Sequence, residues 1–238
     1  MDLLVLATQY TFWIGFVGMA AATLYFLLER GDLKAEYRST ATLAALVTFV
    51  AAVHYYYMKG EVGTDGMLAS LSNFPTEIRY IDWIITTPLL LIKFPNLLGL
   101  KSGAGSLITK LIVADLIMII FGYLGETDIN NNGGYTTYGL ITFIIACIAW
   151  LYIIYLLFTT VTNAAKDKPP AIQNGLRIMR YFILIGWAIY PLGYAVTLIG
   201  TGDQLGVIRE LVYNFADLVN KVGFALVALA AVKQMSKA

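Results

Sequence analysis

The sequence predicts an all-α fold: seven transmembrane helices in one bundle, forming a single domain over residues 1–238. Three observations predict it. First, 59% of the residues are apolar and 13% are charged, where a soluble domain carries roughly 25% charge. Second, seven stretches, near 8–29, 38–59, 74–98, 106–125, 136–161, 176–200 and 207–233, are long enough to cross about 30 Å of hydrocarbon. Third, Arg30, Lys34, Arg38, Lys101, Lys110, Lys166, Lys168, Arg177, Arg180, Lys233 and Lys237 fall on one side of these stretches, and only Lys59 and Arg209 on the other, with Arg79 just inside a helix. Basic residues stay cytoplasmic, so the N-terminus is expected outside and the C-terminus in the cytoplasm. The net charge of +1 argues against a nucleic-acid partner. A single cysteine, Cys147, excludes an intrachain disulfide, and no metal-site spacing occurs. No signal peptide is expected, because a basic region and a cleavage site are missing before the first apolar run.

The first segment carries Gly15, Gly18 and several alanines, small residues that let helices approach closely in lipid. The second ends in AAVHYYYMKG and holds the only histidine, His54. His54 lies near the outer end of its helix and Asp82 a similar distance into the third, so the two can share a level. A His–Asp pair there would make the carboxylate's titration sensitive near neutral pH. A histidine alone in an apolar helix is more often structural.

The third segment, EIRYIDWIITTPLLLIKF, sets Arg79, Asp82, Thr86 and Lys93 on one helical face. Ionisable residues in a membrane helix face the bundle interior. Lys93 lies about 16 Å along the axis from Asp82, well toward the cytoplasm, where it either points inward or snorkels to the headgroups. The fourth segment holds Asp115 near mid-depth, expected to be hydrogen-bonded to a neighbouring helix. The connection after it, GETDINNNGGYTTYG, is expected as an outer turn or short hairpin without a site. The fifth is aromatic-rich. The sixth reads ILIGWAIYPLGYAV, with Trp187, Tyr190, Pro191 and Tyr194 forming a stripe at helical spacing. Such a stripe is usually core, and with Trp83 and Trp150 it could also line a flat apolar pocket. Pro191 should kink its helix.

The seventh segment is almost wholly apolar, yet contains Asp217 and Lys221 at i, i+4. A lysine in mid-membrane costs at least about 3 kcal/mol. Two explanations stand: a structural ion pair with Asp217, or a desolvated amine that forms a Schiff base with a carbonyl compound.

RYIDWIITTPLLL, WAIYPLGY and ADLVNKVGF together resemble the microbial (type 1) rhodopsins, along essentially all seven segments. His54 within HYYYM resembles the proteorhodopsin branch. Lys93, where that branch carries a carboxylate, resembles light-driven proton pumps of the Exiguobacterium type, as do FPTEIRYIDW and IIYLLFT. The resemblance implies all-trans retinal on Lys221 as a protonated Schiff base. It implies Asp82 as primary counterion and proton acceptor, Asp217 as second carboxylate, Arg79 toward the outside, and Thr86 hydrogen-bonding near Asp82. Trp83, Thr87, Met118, Trp150, Trp187, Tyr190, Pro191 and Tyr194 would line the pocket, and Lys93 would take the cytoplasmic donor position. Two carboxylates, one arginine and the imine cation sum to zero, so such a site can be buried neutral.

The implied activity is a light-driven outward proton pump, not an enzyme, in the plasma membrane of a bacterium. Its partners would be the bilayer, protons and further copies of itself in a homo-oligomer, without a transducer. Sodium pumps carry Asn, Asp and Gln at the positions of Asp82, Thr86 and Lys93, and chloride pumps lack the carboxylate at position 82. Sensory members need no fast cytoplasmic donor, so Lys93 favours pumping. Leu90 goes with green absorption. Phe143 fills the place where antenna-binding members open a glycine window, so no carotenoid antenna is expected. Glu210 is a candidate in proton release, with surface solvation as the alternative.

Overall fold

The computed structural model describes residues 3–62, 74–100, 103–199 and 203–237. Lys101 lies outside the described residues. Seven helical spans are long and apolar enough to cross a membrane: α1 (Leu3–Asp32), α2 (Ala35–Glu61), α3 (Glu77–Leu98), α4 (Ala104–Asn132), α5 (Thr137–Ala165), α6 (Pro170–Ala195) and α7 (Gln204–Lys237). Their outward faces carry large apolar side chains such as Leu24, Phe49, Ile148 and Ile185, as a lipid surround requires.

Local chemistry sets the ends. Gly99, at φ 57°, and Gly133, at φ 70°, occupy the left-handed region and stop α3 and α4. Thr136 caps α5, its hydroxyl accepting from the Gly139 N–H at 2.8 Å. Pro170 opens α6 several residues before the apolar run begins. The largest departure from the sequence expectation is α4. It was expected to end near 125 in a polar connection, yet the helix continues to Asn132. Glu126 and Ile129 fall on its inward face and are buried, so packing carries the helix past its apolar run.

One end of the bundle gathers the starts of α3 and α7 and the end of α4, tied by Thr76, Glu126, Arg209 and Asn130. The other gathers the end of α1, the start of α2 and the end of α7, tied by Glu29 with Lys233 and by the Lys34 N–H donating to Ser236 Oγ. The half toward this second end holds the largest apolar cluster, which includes Leu90, Phe94, Leu97, Leu176, Phe224 and Ala228.

Three helices contain a π-helical turn: Leu157–Val161, Phe182–Gly186 and Val219–Gly223. Such turns insert one residue and often mark functional positions. The third contains Lys221. The second precedes Pro191, which lacks an N–H and crowds the carbonyl four residues back. In this turn the Trp187 N–H donates to Phe182 O, five residues back, at 2.9 Å, and Trp187 lies four residues before Pro191.

Candidate functional site

Lys221 is buried, and its Nζ lies between two carboxylates, in contact with Asp82 Oδ2 and 3.2 Å from Asp217 Oδ2. The carboxylates have unequal surroundings. Asp217 accepts three neutral hydrogen bonds: from Tyr55 Oη at 2.9 Å, Trp83 Nε1 at 3.1 Å and Tyr190 Oη at 2.8 Å. Arg79 Nη1 adds a charge 3.9 Å away. Asp82 has Lys221 on one oxygen, and its Oδ1 has no hydrogen-bond partner. His54 Nδ1 stands 3.7 Å from that oxygen, while the same nitrogen is 2.8 Å from the Val50 carbonyl. The pairing expected from helix depth is therefore a near approach, with the ring held by its own helix. Thr86 hydrogen-bonds at Asp82, through the backbone: its hydroxyl donates to the Asp82 carbonyl at 2.9 Å.

From Asp217 a chain of buried charges runs to the first end. Arg79 Nε and Nη2 both donate to Glu210 Oε2, at 2.8 and 2.6 Å, and Nη2 also reaches Asn214 Oδ1 at 2.6 Å. Glu210 Oε1 takes Arg209 Nε at 3.2 Å, and Arg209 Nη1 is 3.2 Å from Glu126 Oε1. Glu126 accepts from Thr76 at 3.0 Å and Tyr80 at 2.8 Å. Arg209, expected near the outer end of the seventh segment, is 4% exposed, and of the two alternatives for Glu210 surface solvation is excluded, because the side chain is fully buried. A buried guanidinium needs a paired carboxylate, and each supplies the other.

The carboxylate–lysine group opens on a largely apolar cavity, the usual character of a small-molecule site. All the expected lining residues bound it: Trp83, Thr87, Met118, Trp150, Trp187, Tyr190, Pro191, Tyr194 and Lys221, with Leu90 and Phe143. Trp83 and Tyr190 meet edge-to-face at 5.0 Å, and the Trp150 indole is fixed by donating to the Ile183 carbonyl at 3.0 Å. Thr87 turns its hydroxyl to Asp115 Oδ2 at 2.8 Å, the interhelical bond expected for that carboxyl. An amine on the wall of an otherwise apolar, aromatic slot suits an elongated apolar aldehyde such as retinal.

Lys93 lies toward the second end, fully buried, with no hydrogen-bond partner on Nζ. It does not snorkel; its amine stands 5.6 Å from the centre of the Phe224 ring.

Sequence reasoning missed Tyr55, Tyr80, Glu126 and Asn214. Tyr55 could have been found from Gly15: a Cβ there would overlap the Tyr55 ring, so the glycine seats the tyrosine that holds Asp217.

A seven-helix bundle with one amine between two carboxylates, on the wall of an aromatic cavity, defines the microbial rhodopsin class. The family model for bacteriorhodopsin-like proteins matches residues 6–235, and the chain belongs to that family. Within it the chain is of the proteorhodopsin type. It is 38% identical over 239 residues to a green-light absorbing proteorhodopsin from a gamma-proteobacterium, covering 98% of this chain and 90% of the relative. The crystal structure of Exiguobacterium sibiricum rhodopsin superposes with a TM-score of 0.95 at 65% identity, covering 99% of both chains. Xanthorhodopsin, described as a light-driven ion pump with dual chromophore, gives a TM-score of 0.87 at 25% identity, covering 100% of this chain and 96% of its own.

Proposed function

We propose that this protein is a light-driven proton pump that moves protons outward, from the Lys93 end to the Glu126 end. The observation that carries the reading is the inequality of the two carboxylates at Lys221. Asp217 has three neutral donors and an arginine, so it stays a fixed negative charge. Asp82 keeps one oxygen free, so it is the group able to take a proton. Retinal held covalently at Lys221 Nζ supplies light absorption and a change of shape. The residues do the rest. Nζ holds its proton in the dark against Asp82 and Asp217, and gives it up to Asp82 when its orientation changes. The apolar walls exclude water from the transfer.

Arg79 links that event to the first end. Among the described residues the connected buried chain contains four carboxylates, Asp82, Asp217, Glu210 and Glu126, against three cations, Lys221, Arg79 and Arg209. An uncompensated buried charge costs several kcal/mol, so a change of charge at Asp82 acts on the whole chain, through Arg79 to Glu210, Arg209 and Glu126 at the first end. Lys93, a buried amine with a free lone pair when neutral, reloads Nζ from the cytoplasmic side. Phe143 stacks on Tyr194 at 4.6 Å and stands where an antenna would need open space, which supports retinal as the sole chromophore.

The test is light-induced pH change in unbuffered cells expressing the protein with added retinal. Acidification abolished by a protonophore is expected. Alkalinisation enhanced by the protonophore would contradict the reading, because it means passive proton influx behind another pumped ion.

A further inference from the structure

We infer that Ser39, Thr40 and Asn96 form the intake gate through which protons reach Lys93 from water at the second end. The inference rests on the proposed role of Lys93 and adds the residues that serve it.

The Lys93 amine is buried without a hydrogen-bond partner, 5.6 Å from the centre of the Phe224 ring. Toward the second end of α3 the next residues are Phe94 and Pro95, both buried, and then Asn96. Asn96 is one turn beyond Lys93, so it is the first polar side chain along that helix on the way out. It bridges to α2: Asn96 Oδ1 accepts from Ser39 Oγ at 3.2 Å and from Thr40 Oγ1 at 3.1 Å, and Asn96 Nδ2 donates to Ser39 Oγ at 2.9 Å. Ser39 is exposed, Asn96 half-buried and Thr40 buried. The three thus form a graded polar passage from the aqueous end into the α2–α3 interface.

Two features make this passage openable rather than fixed. All its bonds are between neutral side chains, which water can replace at little cost. Pro95 has no N–H, so the Leu91 carbonyl lacks its usual helical partner, and the turn carrying Asn96 has one backbone bond fewer to hold it. In the closed state the bonds draw α2 and α3 together over Lys93. When they part, water enters and one proton passes from bulk water to the lone pair of Lys93 Nζ; no other bond changes.

The test is time-resolved absorption spectroscopy of the retinal-loaded protein in lipid vesicles. It compares the parent, Asn96→Leu, Thr40→Val, Thr40→Ser and Lys93→Ala. Asn96→Leu and Thr40→Val should slow the reprotonation phase about tenfold, less than the roughly 100-fold or more set by loss of a proton-transfer group itself. Their dark absorption band and earlier deprotonation phase should match the parent. Thr40→Ser should keep the parent rate. In Lys93→Ala, adding Asn96→Leu should slow nothing further. Parent-like reprotonation in Asn96→Leu and Thr40→Val, with Lys93→Ala slow, would overturn the gate alone. Parent-like reprotonation in Lys93→Ala would overturn the donor reading beneath it. A slowed deprotonation phase in Asn96→Leu and Thr40→Val would mean general disruption and would also overturn the gate. If Asn96→Leu does not assemble, Thr40→Val and Thr40→Ser carry the test.

Discussion

The two halves of the bundle treat charge in opposite ways. Between Lys221 and the first end, every buried charge touches another: Asp82, Asp217, Arg79, Glu210, Arg209 and Glu126 form one connected chain. Toward the second end, the Lys93 amine has no hydrogen-bond partner among the described residues, and the Phe224 ring stands 5.6 Å from it. A connected chain passes a displaced charge along and stores protons at low cost. An isolated amine does neither; it responds only when a proton reaches it. In the proposed pump this difference would set the direction, with the proton leaving along the connected chain and being admitted singly at Lys93.

Changes that remove the junction of the halves should have the largest effect. Lys221→Ala should abolish both the visible absorption band and any light-driven pH change, read on purified protein with added retinal. Asp82→Asn should keep a shifted band and lower pumping at least about 100-fold, the scale for loss of a proton acceptor. Lys93→Ala breaks only the isolated half: reprotonation should slow by about 100-fold or more while early steps keep their rate, seen by flash photolysis. Glu126→Gln thins the connected half. Arg209 keeps Glu210, so the loss of stability should be about 1–3 kcal/mol, measured by thermal unfolding, with proton release delayed relative to the parent. His54→Ala should act least. It should displace the midpoint of the acid-induced colour change; an unchanged midpoint would mean that the 3.7 Å approach to Asp82 has no energetic weight.

The same contrast explains what the sequence disclosed. Seven apolar runs are visible because lipid selects them, and Lys221, Asp82 and Lys93 stand out because a charge inside such a run is rare. Their common face follows from helical spacing within α3. Glu126 and Arg209 were hidden for the reverse reason. They sit near helix ends, where charge ordinarily means solvent, and they pair across α4 and α7, a relation no local pattern carries. Tyr55 was hidden in a run of tyrosines that resembles an interfacial belt. Thr86 was correctly placed on the face, but its hydroxyl had a nearer acceptor in its own helix, as threonines in helices commonly do.

The central claim is that Asp82, and not Asp217, takes the proton from Lys221. Time-resolved infrared difference spectroscopy tests it directly, because a protonated carboxyl has its own C=O stretch. The account predicts a light-induced carboxylic band that rises with deprotonation at Lys221, is absent in Asp82→Asn and persists in Asp217→Asn wherever that variant still binds retinal. A band that survives in Asp82→Asn would contradict it.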